Sequence, residues 1–264
     1  MAHITGLVLA CVLGSAAILA QEPISQGEQP GESPTAQTEL PETAISPVQL
    51  AKDVLHDQKR IFTFPLRAVQ GKHWEPVLAI ALGTVGLVAL DPYTEPYFHD
   101  RSFSTYKTGA LRGRNSTLAI MGTPAAFYLI GLVRHRPHSQ NTGLLAAEAI
   151  ADSQILTFAI KQAVGRLTPS QIPPNGNFRD TWFKYKGTVS NGGSFPSGHS
   201  ASAFAVATVI AVRYRQHRWI PWVAYGAAAF IALTRLPDQA HFPSDLFMGA
   251  ALGYSVSRFV VLSK

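Results

Sequence analysis

Apolar residues in this chain gather into six long blocks: Pro76 to Leu90, Ser116 to Val133, Thr142 to Ile160, Ala201 to Val212, Trp219 to Leu233 and Leu246 to Leu262. Most are apolar all the way round a helical repeat, the pattern of helices surrounded by lipid or buried on every side. The third block is interrupted by Glu148, Asp152 and Gln154, so its helix is expected to face the interior of a bundle. Leu50 to Val69 reads as a shorter amphipathic stretch. The fold expected is all-α, a six-helix bundle embedded in a membrane. Several blocks fall short of the ~20 residues a straight span needs. Tilt and the flanking Trp74, Trp219 and Trp222 favour insertion nonetheless.

Upstream of the blocks the character changes twice. Ile4 to Ala20 is apolar and of export-signal length, with Ala20-Gln21 as a cleavage point and a weak basic n-region. Gln21 to Pro47 is rich in Pro, Glu, Gln, Ser and Thr and reads as a disordered linker. This divides the chain into a leader or N-terminal apolar segment over 1–20, a linker over 21–47 and one domain over 48–264. The single cysteine, Cys11, lies in the first of these, so thiol chemistry has no place in the domain. A net charge of +6 suits anionic membranes or phosphorylated substrates. No basic run with interleaved aromatics points to nucleic acid.

Chemistry concentrates at three places between the blocks. In Thr234-Arg235-Leu236-Pro237-Asp238-Gln239-Ala240-His241-Phe242-Pro243-Ser244-Asp245, Pro243 suits the first turn of a helix, so His241 stands just before a helix start. Asp245, four residues on, can hold one imidazole nitrogen and leave the other free to attack an electrophile. Arg235 offers a guanidinium fork to an oxyanion. In Pro196-Ser197-Gly198-His199, Ser197 and Gly198 open another helix, where unsatisfied N–H groups favour an anion, and His199 is placed as a general acid. Lys161 and Arg166 close the third block and add cations for a phosphoryl group. Each motif alone has a plainer reading: a Ser-capped helix start, an Arg–Asp pair at a helix junction, a lysine at a helix C-terminus. Together and in order they point to phosphoryl chemistry. No His, Cys or carboxylate spacing resembles a structural zinc site.

Over roughly Leu145 to Tyr254 the chain resembles the type 2 phosphatidic acid phosphatase superfamily, which also holds the bacterial class A acid phosphatases and the vanadium haloperoxidases. The resemblance rests on Lys161 with Pro169, on Pro196-Ser197-Gly198-His199, and on Arg235, His241 and Asp245 at the family's spacing. It implies that Lys161, Ser197, Gly198 and Arg235 bind phosphate, that His199 is the acid, and that His241 is a phosphohistidine nucleophile oriented by Asp245. Thr234 stands where the family has serine, and Thr168 where it has arginine before the proline. Arg166, two positions earlier, is the expected substitute for that missing phosphate ligand.

The function expected is that of a metal-independent phosphomonoesterase with no cofactor, acting on a lipid phosphate or an isoprenyl diphosphate. The alternatives are a soluble periplasmic acid phosphatase acting on small organic phosphates, a vanadium-dependent haloperoxidase, and a headgroup-binding membrane protein with weak catalysis. Short basic loops at Arg134/Arg136 and Arg213/Arg215/Arg218 mark the face opposite the motifs as cytoplasmic, leaving the catalytic rim toward the periplasm. A cleaved leader followed by six spans would put that rim inside. The sequence is therefore consistent with an uncleaved leader, a block that does not cross, or a soluble domain. The loop from Leu167 to Phe195 is expected to cover the site. Asn115-Ser116-Thr117 is expected to cap the second block, and His135 and His217 to face solvent or headgroups.

Overall fold

A computed structural model describes residues 46–69, 74–100, 113–173, 176–184 and 193–264. The leader and nearly all of the linker lie outside the described residues, as do parts of the loops at 101–112 and 185–192. Seven α-helices and no strand occur among the described residues: α1 (Pro47–Val69), α2 (Trp74–Asp100), α3 (Gly113–Val133), α4 (Pro137–Val164), α5 (Gly198–Arg213), α6 (Ile220–Leu233) and α7 (Pro243–Phe259). The amphipathic stretch became α1 and the six apolar blocks became α2 to α7.

Helix α5 is the hub, packing most extensively on α7, α6 and α4. Its buried alanines and valines, with Ala146, Ala149 and Ile150 of α4 and Ala228, Ala229 and Ala232 of α6, form the main core. Small residues let these helices approach closely. A Cβ added at Gly253 of α7 would lie 2.0 Å from the Ala201 carbonyl of α5, and one at Gly249 would lie 2.4 Å from the Ser197 carbonyl. The backbones themselves are thus in contact, as in small-residue packing between membrane helices.

Outward faces carry the opposite message. Leu78, Leu82 and Val85 of α2, Leu118, Met121 and Leu129 of α3, and Trp222, Val223 and Phe230 of α6 are exposed. An apolar surface of that extent is stable in lipid and a liability in water. Four stretches are long and apolar enough to cross a bilayer: Trp74–Phe98, Arg114–Val133, Pro137–Gln171 and Pro243–Ser263. This is the architecture of a membrane protein rather than of a soluble domain. The shortfall from six spans lies in α5 and α6, of 16 and 14 residues. At 1.5 Å per residue they reach only about 24 and 21 Å.

The polar residues of the third block do point inward. Gln154 donates to the Gly198 carbonyl at 2.8 Å and to Ser202 Oγ at 2.6 Å. Glu148 and Asp152 are buried against α1, where Asp57 is also buried. Gln58 of α1 donates to Asp152 Oδ1 at 2.7 Å. Lys264 pairs with Asp57 at 2.8 Å and also with Glu148. Burial alone would depress the Lys264 ammonium, and its bonds to Asp57 and Glu148 outweigh that and hold it above its ordinary value. Arg60 ties α1 to the same C-terminal segment through the Val260 carbonyl and Ser263.

Candidate active site

Each motif is positioned by a helix end. Helix α4 stops at Gly165, whose left-handed backbone (φ 53°, ψ 46°) lets its N–H close on the Lys161 carbonyl at 2.9 Å. Glycine adopts that conformation without steric cost, and the turn delivers Lys161 and Arg166 to one end of the bundle. The loop after it folds back on the same end: Leu167 N–H meets the Thr181 carbonyl at 2.9 Å, and Ser194 N–H meets the Arg166 carbonyl at 2.7 Å. Ser197 caps α5, its Oγ accepting weakly from Ser200 N–H at 3.4 Å. Pro243 opens α7, and Asp245 reaches back to accept the Phe242 N–H at 2.8 Å. That is the N-terminal half of a capping box, and it sets a carboxylate at the positive end of a helix.

A connected set of contacts unites the motifs. Ser197 N–H donates to the Asp245 carbonyl at 2.9 Å. Asp245 Oδ2 faces His241 Nδ1 at 3.6 Å and accepts a short hydrogen bond from Ser194 Oγ. Lys161 Nζ donates to the carbonyls of Gly193 and, at 3.3 Å, Ser194. His199 Nε2 lies 3.0 Å from Thr117 Oγ1 of α3. The neighbouring Ser116 accepts from Arg235 Nη2 at 3.2 Å, and Arg235 pairs with Asp238 at 3.1 Å. Lys161, Ser197, Gly198, His199, Arg235, His241 and Asp245 therefore share one end of the bundle.

Electrostatics favour a neutral imidazole at His241. Burial depresses the His241 imidazole below its ordinary value of 6.5, and the nearby Asp245 carboxylate opposes this without reversing it. With Nδ1 toward Asp245, Nε2 is the nitrogen left for an electrophile. The 3.6 Å approach is longer than a hydrogen bond, and such contacts often tighten when substrate binds. Burial also depresses Arg235, against the pull of Asp238.

Arg166 departs from its expected role. Its side chain is 1% exposed, with Nη2 on Asp91 Oδ2 and Nη1 on Asp245 Oδ1, both at 2.7 Å. Nε reaches Thr181 Oγ1 at 3.2 Å, and the guanidinium lies against the rings of Phe242 (3.9 Å) and Trp182 (4.3 Å). A cation so enclosed orients Asp245 and is not displayed to a phosphate. Thr168 instead opens the short turn Pro169–Gln171, its N–H donating to Gln171 Oε1 at 2.9 Å.

Asp91, Ser116, Thr117, Gln154, Ser194 and Ser244 join this network without having been assigned a place at the site from the sequence. For Asp91 a signal existed, an ionisable residue closing an apolar block. Beside Arg166, a cleft of about 360 Å³ opens between Val88, Pro92 and Tyr93 of α2 and Phe178, Arg179 and Trp182 of the loop. Away from this network, carboxylate oxygens of Asp57, Glu148 and Asp152 lie within 4.8 Å of one another, a grouping that could hold a cation and that already contains Lys264.

The family model of the PAP2 superfamily matches residues 142–264. This stretch belongs to the PAP2 superfamily. All three motifs fall inside it, whereas α1, α2 and α3 precede it. The chain is 39% identical over 100 residues to a lipid A 1-phosphatase of Porphyromonas gingivalis, covering 38% of this chain and 22% of that protein. It is 34% identical over 102 residues to a lipid A 1-phosphatase of Rhizobium etli, covering 38% and 41%. To a lipid A 4'-phosphatase of Bacteroides thetaiotaomicron it is 33% identical over 103 residues, covering 39% and 44%. The matched stretch thus spans less than half of each PAP2-related protein. No solved structure matches the chain.

Proposed function

We propose that this protein is a membrane phosphatase that hydrolyses a phosphate monoester of a lipid through a phosphohistidine. The observation that carries the reading is the linkage of Lys161, Ser194, Asp245 and His241, joined to the Pro-Ser-Gly-His turn by the Ser197 to Asp245 bond. His241 Nε2 attacks phosphorus in line as the bond to the lipid oxygen breaks, and His199, protonated, gives that oxygen its proton. Water, losing its proton to His199, then attacks phosphorus, the N–P bond breaks and phosphate leaves. Lys161, Arg235 and the N–H groups at the start of α5 neutralise the charge on the transferring group. No step needs a metal ion.

A lipid substrate is supported by three things. The site lies at one end of helices suited to a bilayer, a cleft that sets the Arg179 cation beside Val88, Phe178 and Trp182 adjoins it, and relatives carry the name lipid A phosphatase. A glycolipid phosphate is therefore the first substrate class to test. The site faces the periplasm in this reading. Arg213 at the far end of α5 donates to Thr142 and the His138 carbonyl beside the Arg134/Arg136 loop, gathering the short basic loops at the opposite face.

The test is to incubate wild type and His241→Ala, in detergent with EDTA, with ³²P-labelled lipid A, phosphatidate, isoprenyl diphosphate and soluble phosphate esters. Expected are EDTA-resistant turnover of a lipid monoester, an acid-labile ³²P-protein adduct on rapid quench, and loss of both in the variant. Turnover surviving in His241→Ala would overturn the mechanism, and preference for soluble esters would overturn the substrate class.

A further inference from the structure

We propose that Asp91, on a helix outside the PAP2-matched region, is a positioning residue for the nucleophile: it takes up the charge of Arg166, so that Asp245 keeps its negative charge for His241. The inference rests on the phosphohistidine reading above and adds a residue to it.

Three buried groups form a line. Asp91 is 0% exposed, and its Oδ2 accepts from Arg166 Nη2 at 2.7 Å and from Ser244 Oγ. Its Oδ1 accepts the Ser244 N–H at 3.2 Å, at the start of α7. Ser244 Oγ in turn accepts from Arg166 Nη1 at 2.8 Å, and the same nitrogen donates to Asp245 Oδ1 at 2.7 Å. Asp91 thus holds both the guanidinium and the helix turn that carries Asp245. With Oδ1 of Asp245 fixed on Arg166, its Oδ2 is left toward His241, Ser194 and Phe242.

Charge count gives the arrangement its consequence. Arg166 and Asp245 alone would make a neutral pair, with little field left for an imidazole. Adding Asp91 gives two carboxylates to one guanidinium, and the extra negative charge offsets the Lys161 ammonium beside His241, the ring that becomes cationic as it bonds to phosphorus. An imidazolium-like transition state is stabilised more than the neutral ground state, so the effect belongs in kcat rather than in KM. The other titratable groups facing this region are Lys161, beside His241 and Asp245, and Glu95, one turn along α2 from Asp91.

The test compares Asp91→Asn, Arg166→Gln and the double variant in the lipid phosphatase assay, alongside His241→Ala. Asp91→Asn is expected to lower kcat about tenfold, the equivalent of roughly one pKa unit at the nucleophile. KM should stay within about threefold, and the acid limb of kcat/KM should move down by roughly 0.5–1 pH unit. Arg166→Gln moves that limb up. The double variant, which removes one charge of each sign, restores it to within about 0.2 unit of wild type. Asp91→Glu, keeping the charge, also leaves the limb in place. A folded Asp91→Asn enzyme with wild-type kcat and an unmoved limb overturns the proposal. Should Asp91→Asn alone not fold, the comparison of Arg166→Gln with the double variant decides it, since equal limbs in those two enzymes overturn the charge count. Activity remaining in His241→Ala would instead remove the underlying mechanism.

Discussion

The backbone N–H of Ser197 donates to the carbonyl of Asp245 at 2.9 Å, so the turn that starts α5 and the turn that starts α7 are fixed to each other directly. The positive end of α5 is thereby held beside the turn that carries His241 and Asp245. What allows the approach is the absence of side chains along α7 at Gly249 and Gly253. Packing of the core and geometry of the site are one feature here.

Gly253→Ala should therefore damage the protein out of proportion to one methyl group. The added carbon would meet the Ala201 carbonyl at 2.0 Å, a backbone atom that cannot rotate away. A loss of about 1–3 kcal/mol is expected, read as a lower Tm in detergent together with reduced activity. The control is Gly226→Ala, where nothing lies within 4 Å of the new carbon and Tm should hold or rise. Equal Tm values for the two variants would show that α5 and α7 are not in backbone contact.

Acid should destabilise the fold partly through His241. Its folded pKa is held below the ordinary 6.5 by burial, against the opposing charge of Asp245. Between the two values the unfolded chain binds the extra proton, so this contribution is complete above about pH 6.5 and is lost as pH falls. Wild type should lose Tm more steeply between pH 7 and pH 5 than His241→Gln, which carries no titrating ring. Parallel curves would mean that the ring titrates alike in both states.

Position 168 separates the matched stretch from the PAP2 pattern, and the structure gives the departure a place. Thr168 opens the turn Pro169–Gln171, and Ser170 in that turn donates its N–H to the Gln239 carbonyl, two residues before His241. An arginine at 168 would stand at the edge of the site with a charge to offer phosphate. Thr168→Arg is expected to lower KM by up to about tenfold, from a charge-assisted hydrogen bond of roughly 1.5 kcal/mol. Kinetics identical to the parent in every parameter would place the position beyond the reach of the phosphoryl group.

The helices and the motif residues were legible because their signals are local. Pro243 marks the start of α7, and Lys161, His199 and His241 stand beside helix ends that the apolar blocks outline. What escaped is what arrives from far along the chain. Asp91 meets Arg166 across 75 residues and Ser116 meets Arg235 across 119, and no periodicity encodes such encounters. The first block was read to end at Leu90, yet α2 carries Pro92 and Pro96 and continues to Asp100. Proline costs a helix one hydrogen bond and some straightness, and it need not end the helix. Arg166 was read as a rim cation because sequence shows its charge and not the two carboxylates and two rings that enclose it.

Thr117 offers the last check, because it reaches the proposed acid from outside the superfamily region. Its hydroxyl lies 3.0 Å from His199 Nε2, and α3 brings it there next to Ser116, which accepts from Arg235. A general acid works only if its ring is aimed at the leaving oxygen, and a hydroxyl on one nitrogen restricts how the ring turns. Thr117→Val keeps the shape and removes that hydrogen bond. A net hydrogen bond is worth about 1 kcal/mol, so kcat should fall roughly five- to tenfold, while Thr117→Ser retains most activity. The effect should depend on the leaving group. An ester whose alcohol departs without protonation, such as a nitrophenyl phosphate, should be hydrolysed almost equally by both variants, whereas the lipid monoester should not. Equal losses on both substrates would assign Thr117 to the fold of α3 and not to the acid.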